Sequence, residues 1–190
     1  MVLPVVAYGH STLKKMSVDI DQDYPDLDKL IEDMFETMYA TNGVGLAAPQ
    51  INRNIRLFII DADPFKESYP EAEGIKMVLI NVHILEEEGD EWSFEEGCLS
   101  VPDIHEAVER QPRILVEYYD ENWEKHTKWL DGIIARIIQH EYDHIEGRIF
   151  IEKLSNVRKM MLKKKLYNIS TGNIDAKYRM IFPKLKKGKR

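Results

Sequence analysis

Residues 131–147, DGIIARIIQHEYDHIEG, contain the feature that most constrains how this chain folds: two histidines four apart inside an apolar run. At 3.6 residues per helical turn, His140 and His144 lie on one helix face, with Glu141 beside them. Isoleucines cover much of the remaining circumference, so the helix is predicted to be buried, and Gly147 is placed to end it. Two imidazoles and a carboxylate on a buried helix predict a metal site, where Glu141 acts on a metal-bound water.

Length and composition favour one domain. The 190 residues, 44% of them hydrophobic, are enough to bury a core, and we expect residues 1–190 to form a single domain whose last part, from about 155 to 190, is a basic helix and tail. No apolar run approaches the roughly 20 residues that span a bilayer, and the first residues lack the pattern of a secretory signal. We therefore expect no membrane partner and a cytoplasmic location, which the single cysteine, Cys98, also favours.

The formal charge of −7 is unevenly distributed. From Ser155 onward, 12 Lys or Arg residues accompany one acid, Asp175, so an acidic body carries a basic tail. Such a tail can contact RNA phosphates. A solvated helix face followed by a frayed terminus is an equally good interpretation, and nothing indicates binding to specific DNA.

The other patterns predict an α+β fold, with mixed or antiparallel strands packed around the central metal-bearing helix and with N-terminal and C-terminal helices. Apolar positions three and four apart predict the first helix over about 26–41, with Asp26 as its N-cap and Asn42-Gly43 as its stop. The last helix, over about 155–168, is expected to present one apolar side: Val157, Met161, Leu162 and Leu166.

Strand patterns lie between these helices. Residues 55–61 and 76–85 are rich in β-branched and apolar residues and are predicted strands, joined by a surface excursion over 62–74. Residues 106–130 alternate apolar and polar side chains around a turn at 120–122, as a hairpin does, and Pro112 marks an edge or a break.

A catalytic metal site needs a third protein ligand and an open position. In the protease motif HExxHxxGxxH the third histidine would fall at Phe150, which cannot bind a metal, and the acids further downstream offer no convincing substitute. Upstream, EGCLS at 96–100 contains Cys98, which with the two histidines would leave a tetrahedral position for water. A buried core cysteine is the other interpretation, but the surrounding segment DEWSFEEGCLSVPD is too polar for a core.

The segment GVGLAAPQ at 43–50 follows the first helix. Its glycines and alanines carry no bulk, so this loop can lie against a substrate or the metal site, and Gln50 offers an amide donor. It lacks the lysine and the spacing of a phosphate-binding loop.

In this order, GVGLAAPQ, EGCLS and QHEYDH resemble the three motifs of the peptide deformylases, most of all the bacterial branch with EGCLS. The resemblance covers most of the chain and implies an α+β fold. It implies a metal-dependent hydrolase that removes the N-formyl group from formylmethionine at the start of nascent polypeptides and releases formate.

The resemblance also implies a role for each motif residue. Cys98, His140 and His144 would hold one divalent metal ion, Fe²⁺ in the cell, with Zn²⁺, Ni²⁺ or Co²⁺ in purified samples. Glu141 would take the proton of the metal-bound water and deliver it to the departing amine. The oxyanion would be stabilised by the metal and by two further donors, which are the Gln50 amide and the Leu99 backbone N–H.

Substrate contacts are implied in the same way. The peptide is expected to add as a strand beside the 43–50 segment, where the backbone of Gly45 contacts it near the formyl group. Arg136 is unusual in the implied methionine pocket, where only its aliphatic stem would suit a thioether. The implied substrate-binding residues are Gly43, Val44, Gly45, Glu96, Ile133, Arg136 and Ile137.

Other positions have two interpretations each. His105 lies where the family often has an arginine, and it either replaces that arginine or is an exposed histidine without a role. Glu96 and Arg110 either orient the metal loop as a buried pair or form an ordinary surface pair. The basic C-terminal helix is compatible with docking on the ribosome.

Two other functions stay open. An endopeptidase would need a ligand downstream of the histidines and would tolerate loss of Cys98. A non-catalytic RNA-binding or ribosome-binding protein with a structural metal would not need Glu141, although structural sites usually have four protein ligands.

Overall fold

The computed structural model describes residues 1–183, which form three α-helices and nine strands. In chain order they are β1 (Val5–Val6), α1 (Leu27–Ala40), β2 (Gly45–Ala47), β3 (Leu57–Asp61), β4 (Lys76–Glu88), β5 (Trp92–Cys98), β6 (Val101–Arg110), β7 (Arg113–Tyr119), β8 (Lys125–Asp131), α2 (Gly132–Ile145), α3 (Asn156–Ser170) and β9 (Met180–Ile181). The α+β prediction is confirmed. That all 190 residues form one domain stays a prediction.

The strands form three sheets. The largest is antiparallel with the order β2-β3-β4-β7-β8, so β2 lies at one edge. Strands β5 and β6 form an antiparallel hairpin, and β1 pairs with β9 in parallel. Helix α2 packs its isoleucines against the large sheet, in a cluster with Phe58, Leu79 and Val116. The helix that carries the two histidines is therefore central, as predicted.

The ends of α1 and α2 follow the same design. Asn42, after α1, adopts a left-handed φ of +56°, and the N–H of Gly43 bonds to the Met38 carbonyl at 2.8 Å. Gly147, after α2, has a φ of +73°, and the N–H of Arg148 bonds to the carbonyl of Asp143 at 2.8 Å. Both are Schellman-type ends, which confirms the two predicted stops.

The predicted N-cap of α1 is wrong. Asp26 has a φ of +54°, and its side chain makes no capping hydrogen bond; only its carbonyl accepts from the N–H of Leu30, at 2.9 Å. An N-cap side chain reaches the first N–H groups from extended backbone, which Asp26 does not have.

The strand predictions hold with shifted ends. Strand β3 begins at Leu57 rather than 55, and β4 continues to Glu88, because its acidic end pairs with β7 as far as Glu88 and Arg113. Strands β7 and β8 form the predicted hairpin, and Pro112 marks the break where the chain passes from one sheet to another. The polar segment before Cys98 is itself a strand, β5, which the sequence did not predict.

The predicted apolar side of α3 is half wrong. Leu162 and Leu166 are buried together with Ile169, but Val157 is 70% exposed and Met161 65% exposed. Each residue turns the helix by about 100°, so Val157 lies about 140° away from Leu162 and cannot share its face. Helix α3 thus contacts the body through one narrow stripe.

None of the described helices is long and apolar enough to cross a membrane.

Candidate metal centre

The three predicted metal ligands meet in space. Cys98 is the last residue of β5, and His140 and His144 lie one turn apart on α2. Their ligand atoms are all within 4.8 Å of one another, and Cys98 Sγ is 3.3 Å from His144 Nε2. Burial, together with the nearby His140, holds the pKa of His144 well below its usual value, so this imidazole is neutral and keeps a lone pair.

This donor set fits a first-row divalent metal. A thiolate at about 2.3 Å and an imidazole at about 2.0–2.1 Å from a tetrahedral ion are about 3.6 Å apart, close to the sulfur–nitrogen distance found here. Three protein ligands leave a fourth position for a reactant, as in catalytic rather than structural sites. The cluster also borders a cavity, which gives a small molecule access to that position.

A buried ionic network holds His140 in place. Glu96, on β5, accepts from His140 Nδ1 at 2.8 Å and from Arg110, on β6, at 2.7 and 3.0 Å. Arg110 also donates to Asp143 of α2 at 2.8 Å. Because Nδ1 is bound to the carboxylate, Nε2 is the His140 nitrogen left for a metal. Glu96 and Arg110 therefore form a buried pair that orients His140, one of the predicted metal ligands, and the surface-pair interpretation is wrong.

The network makes the Glu96 carboxylate strongly acidic. Burial alone would raise the pKa of Glu96, but hydrogen bonds from His140 and Arg110 outweigh burial and hold that pKa well below its usual value. Arg136, only 1% exposed, donates to Glu96 at 3.0 Å as well. An ionised carboxylate with four donor contacts is a firm anchor for an imidazole.

Glu141 lies in the same site without a fixed partner. Its side chain is buried, and Oε2 has no hydrogen-bond partner among the residues that the structure describes. Burial raises its pKa to about 7, and a cation on the neighbouring ligands would lower it again. A carboxylate with such a pKa can both accept and return a proton near neutral pH.

Gly45 makes room for that carboxylate. A Cβ atom at this position would lie 2.8 Å from Glu141 Cδ, closer than carbon atoms approach without displacement. Since β2 begins at Gly45, the lack of a side chain brings the edge strand against α2. This close approach is the physical reason for glycine here.

Gln50 is held with its amide nitrogen toward the cysteine. Its Oε1 accepts from the N–H of Ala47 at 2.9 Å, and its Nε2 lies 3.5 Å from Cys98 Sγ and 3.4 Å from Ser100 Oγ. The bond to Ala47 fixes which end of the amide is the donor. The short helical turn over residues 48–51 therefore places a donor beside the Cys/His/His cluster.

One cavity of about 400 Å³ connects these groups. It is lined by most of the predicted site residues: Gly43, Val44, Gly45, Gln50, Glu96, Cys98, Leu99, Arg136, Ile137, His140 and Glu141. His144 lies behind them with 1% of its surface exposed. Ile133 is not brought to the cavity; it is fully buried in the core between α2 and the sheet.

The guanidinium of Arg136, and not only its aliphatic stem, makes contacts within the protein. Its guanidinium lies 4.5 Å from the Trp92 ring and donates to Glu96 and to the carbonyl of Val108, each at 3.0 Å. The guanidinium thus has its partners within the protein, and these contacts connect α2 to the β5–β6 hairpin. Its place in an apolar wall follows from these partners.

The sequence did not predict several of the residues that line the cavity. Phe65, from the excursion over 62–74, and Phe94 line the wall, as do Asp175, Lys177 and Tyr178 from the segment after α3. Isolated aromatic and charged residues carry no local signal of this kind. His105 also lines the cavity, and its ring is so close to Gly97 that a Cβ there would lie 2.7 Å from His105 Cδ2.

A Cys/His/His cluster with an open side, next to a buried carboxylate and a cavity, defines a metal-dependent hydrolase. Comparison with known proteins identifies the kind: the family model described as polypeptide deformylase matches residues 2–160. The chain therefore belongs to the polypeptide deformylase family, whose members remove the N-formyl group from nascent peptides.

Individual relatives agree. The peptide deformylase of Christiangramia forsetii is 53% identical over 196 residues and is covered completely, as is this chain. A crystal structure of the Legionella pneumophila enzyme is 33% identical, with a TM-score of 0.78 over 91% of this chain and 98% of that one. The Acinetobacter baumannii enzyme with bound Met-Ala-Ser is 37% identical, with a TM-score of 0.75 over 81% of this chain and 99% of that one.

Proposed function

We propose that this chain hydrolyses the formyl amide of formylmethionyl peptides with Glu141 as the proton-transfer group and Cys98, His140 and His144 as metal ligands. The observation that carries the proposal is a buried carboxylate without a fixed partner, beside a three-ligand cluster in one cavity. A divalent ion bound there would supply Lewis acidity, lowering the pKa of water and polarising the formyl oxygen.

Glu141 moves the proton. It takes a proton from the attacking water and delivers it to the nitrogen as the C–N bond breaks, so that formate and a free amine leave. Its burial beside the three ligands, with no hydrogen-bond partner for Oε2 among the described residues, supports this role. The absence of a side chain at Gly45 leaves room for the carboxylate in this position.

Gln50 and Leu99 stabilise the oxyanion. The Gln50 amide is oriented by Ala47, and its nitrogen, 3.5 Å from Cys98 Sγ, is directed to the place where an oxygen beside Cys98 would accept from it. The Leu99 backbone N–H follows the cysteine directly and lines the same cavity. Donors fixed before the reaction need no reorganisation when charge develops, which is why each contributes about 10²- to 10³-fold to turnover.

The peptide binds along β2. This strand pairs only with β3 among the described strands, so its other edge can take a peptide, with Gly43, Val44 and Gly45 as contacts. The methionine side chain enters between Ile137, the stem of Arg136 and the ring of Phe94. The Met-Ala-Ser peptide bound by the A. baumannii relative supports this substrate class.

The test is formate release from a formyl-Met peptide by metal-loaded protein prepared without oxygen. We expect turnover by the wild type and a loss of about 10²- to 10⁴-fold in Glu141→Gln protein of equal metal content, because only the proton acceptor changes. Fully metallated wild type that releases no formate from several formyl-Met peptides would overturn the proposal. Cys98→Ala separates it from an endopeptidase, since that variant should lose the metal.

We further propose Fe²⁺ as the metal in the cell. The set of one sulfur and two nitrogens accepts several divalent ions, so availability decides the occupant. Iron-loaded protein should lose activity in air, while nickel-loaded protein should keep it, because oxygen oxidises Fe²⁺ but not Ni²⁺. Equal air stability of both forms would argue against iron as the working metal.

We also propose that the protein acts in the cytoplasm, at the ribosome, through α3. Lys163, Lys164 and Lys165 are exposed there beside Met160 and Met161, and the basic residues over 184–190 lie outside the described part. Co-sedimentation with ribosomes should weaken with salt and fall in the triple Lys→Ala variant, but not in Lys125→Ala protein. Equal sedimentation of both variants would exclude α3 as the contact.

A further inference from the structure

The turn after Cys98 carries two functions at once. Leu99 and Ser100 join β5 to β6, directly after the metal ligand, and the pairing of the two strands is irregular between Gly97 and Cys98. The Leu99 N–H is the proposed oxyanion donor. Contacts from outside the hairpin restrict the conformation of this turn, so the elements that make them bear on the position of the Leu99 N–H.

Two of these contacts come from residues that lie just outside the two strands of the β1–β9 sheet. The Tyr178 hydroxyl donates to the Leu99 carbonyl at 2.6 Å, and the N–H of Tyr8 donates to the Ser100 carbonyl at 2.8 Å. Tyr8 lies two residues after β1, and Tyr178 two residues before β9. Successive carbonyls of the turn are therefore held by two segments far apart in sequence.

The sheet itself is tied together by main-chain bonds. The N–H of Val5 donates to the carbonyl of Arg179 at 3.0 Å, and the N–H of Ala7 donates to the carbonyl of Ile181 at 2.8 Å. Met180 and Ile181 pack on the apolar cluster that also contains Val6 and Val101. The position of Tyr178 is thus set by the fold rather than by a free tail.

Tyr178 also belongs to the cavity. It is half-buried and lines the wall together with Asp175 and Lys177, and it lies beyond residue 160, where the family model ends. The family model therefore gives no role to Tyr178. Its hydroxyl touches the backbone of the residue whose N–H should face the reacting formyl group.

We propose that the β1–β9 sheet clamps the metal-binding turn and that Tyr178 is a positioning residue whose hydroxyl holds Leu99 in place for oxyanion stabilisation. The proposal rests on the proposed role of the Leu99 N–H. An oxyanion donor must lie about 2.7–3.1 Å from the developing charge, and small displacements of such groups cost much of their effect. Removing the hydroxyl frees one side of the turn while leaving the ring that fills the wall.

The experiment compares Tyr178→Phe with Tyr167→Phe, an exposed tyrosine on α3, in nickel-loaded protein. For Tyr178→Phe we expect kcat on a formyl-Met peptide to fall about tenfold with KM within about twofold, at unchanged metal content and melting temperature. Tyr167→Phe should match the wild type. This split between kcat and KM is not expected of a residue that only supports the fold.

A second measurement does not depend on activity. In ¹⁵N-labelled zinc-loaded protein, the Tyr8 amide, which donates to the Ser100 carbonyl of the turn, should exchange faster in Tyr178→Phe than in the wild type and Tyr167→Phe. Wild type without formate release would refute the proposed function, yet Tyr8 exchange would still decide whether Tyr178 holds the turn. Unchanged Tyr8 exchange overturns the clamp, and so does a fall in kcat that only follows loss of metal or of folded protein.

Discussion

Helices α2 and α3 have nearly the same length but opposite relations to the body of the protein. Eleven of the 14 residues of α2 are buried, against three of the 15 in α3, so α2 must satisfy polar groups inside the protein while α3 leaves them in water. Asp143 and His140 of α2 find Arg110 and Glu96 on the β5–β6 hairpin. Polar side chains on a buried helix need hydrogen-bond partners, and for α2 another element supplies them.

Different interactions therefore stabilise the two helices. Helix α2 depends on contacts distant in sequence, namely the sheet and the buried network. Helix α3 depends on one apolar stripe and a local N-cap, in which Ser155 Oγ accepts from the N–H of Arg158 at 3.2 Å. Substitutions in the two helices should differ accordingly in size and in pH dependence.

The largest effect is expected from Arg110→Met. Without the guanidinium, the buried carboxylates of Glu96 and Asp143 lose their main donors, which should cost about 3–5 kcal/mol of the free energy of unfolding. Urea unfolding at pH 7 measures it. Lys164→Met, an exposed change on α3, should leave the midpoint where it is. A loss below about 1 kcal/mol in Arg110→Met would mean that the network does not stabilise α2.

Truncation of apolar side chains should separate the helices further. Ile138→Ala on α2 removes a fully buried side chain and should cost about 2–5 kcal/mol. Met161→Ala on α3 should change the free energy of unfolding by less than about 0.5 kcal/mol, because that side chain already lies in water. A large loss for Met161→Ala would show that α3 packs through a wider face.

Acid should weaken α2 selectively. The folded pKa of Glu96 lies below its usual value of 4.5, so its ionised form stabilises the fold above that pH, and this contribution fades as the pH falls through and below about 4. The destabilisation caused by Glu96→Gln should thus be largest at pH 7 and shrink toward pH 4. Unfolding curves of both proteins at the two pH values, without metal, test this. Equal differences at both would contradict a depressed pKa.

The smallest effect concerns the caps. Ser155→Ala removes the capping acceptor of α3 and should cost about 1 kcal/mol, equally at pH 7 and pH 4, since α3 contains no acidic residue. Asp131→Ala, before α2, should cost less than half as much, because the Asp131 side chain makes no capping bond. A larger loss of the free energy of unfolding in Asp131→Ala than in Ser155→Ala would contradict this ranking of the two helix starts.

The sequence predicted most where the signal was periodic or compositional. Four isoleucines and two histidines at helical spacing predicted a buried α2, and both helix stops were found because Asn and Gly tolerate positive φ. The single cysteine in EGCLS predicted the third member of the cluster, which the structure brings together with His140 and His144. Predictions failed where the packing of other elements decided the outcome: Ile133 faces the core rather than the cavity, and Val157 is 70% exposed on α3.

What the sequence alone determined is thus the set of candidate groups, namely Cys98, His140, Glu141 and His144, and the helix that bears three of them, because residue type and spacing along one helix are local properties. The tertiary structure decided the rest. Only the folded chain buries Glu96 and Arg110 as a pair, brings Gly45 against Glu141, and places Tyr178 on Leu99. Each of these contacts joins residues from different elements, and such distances depend on how the elements pack, which residue spacing does not contain.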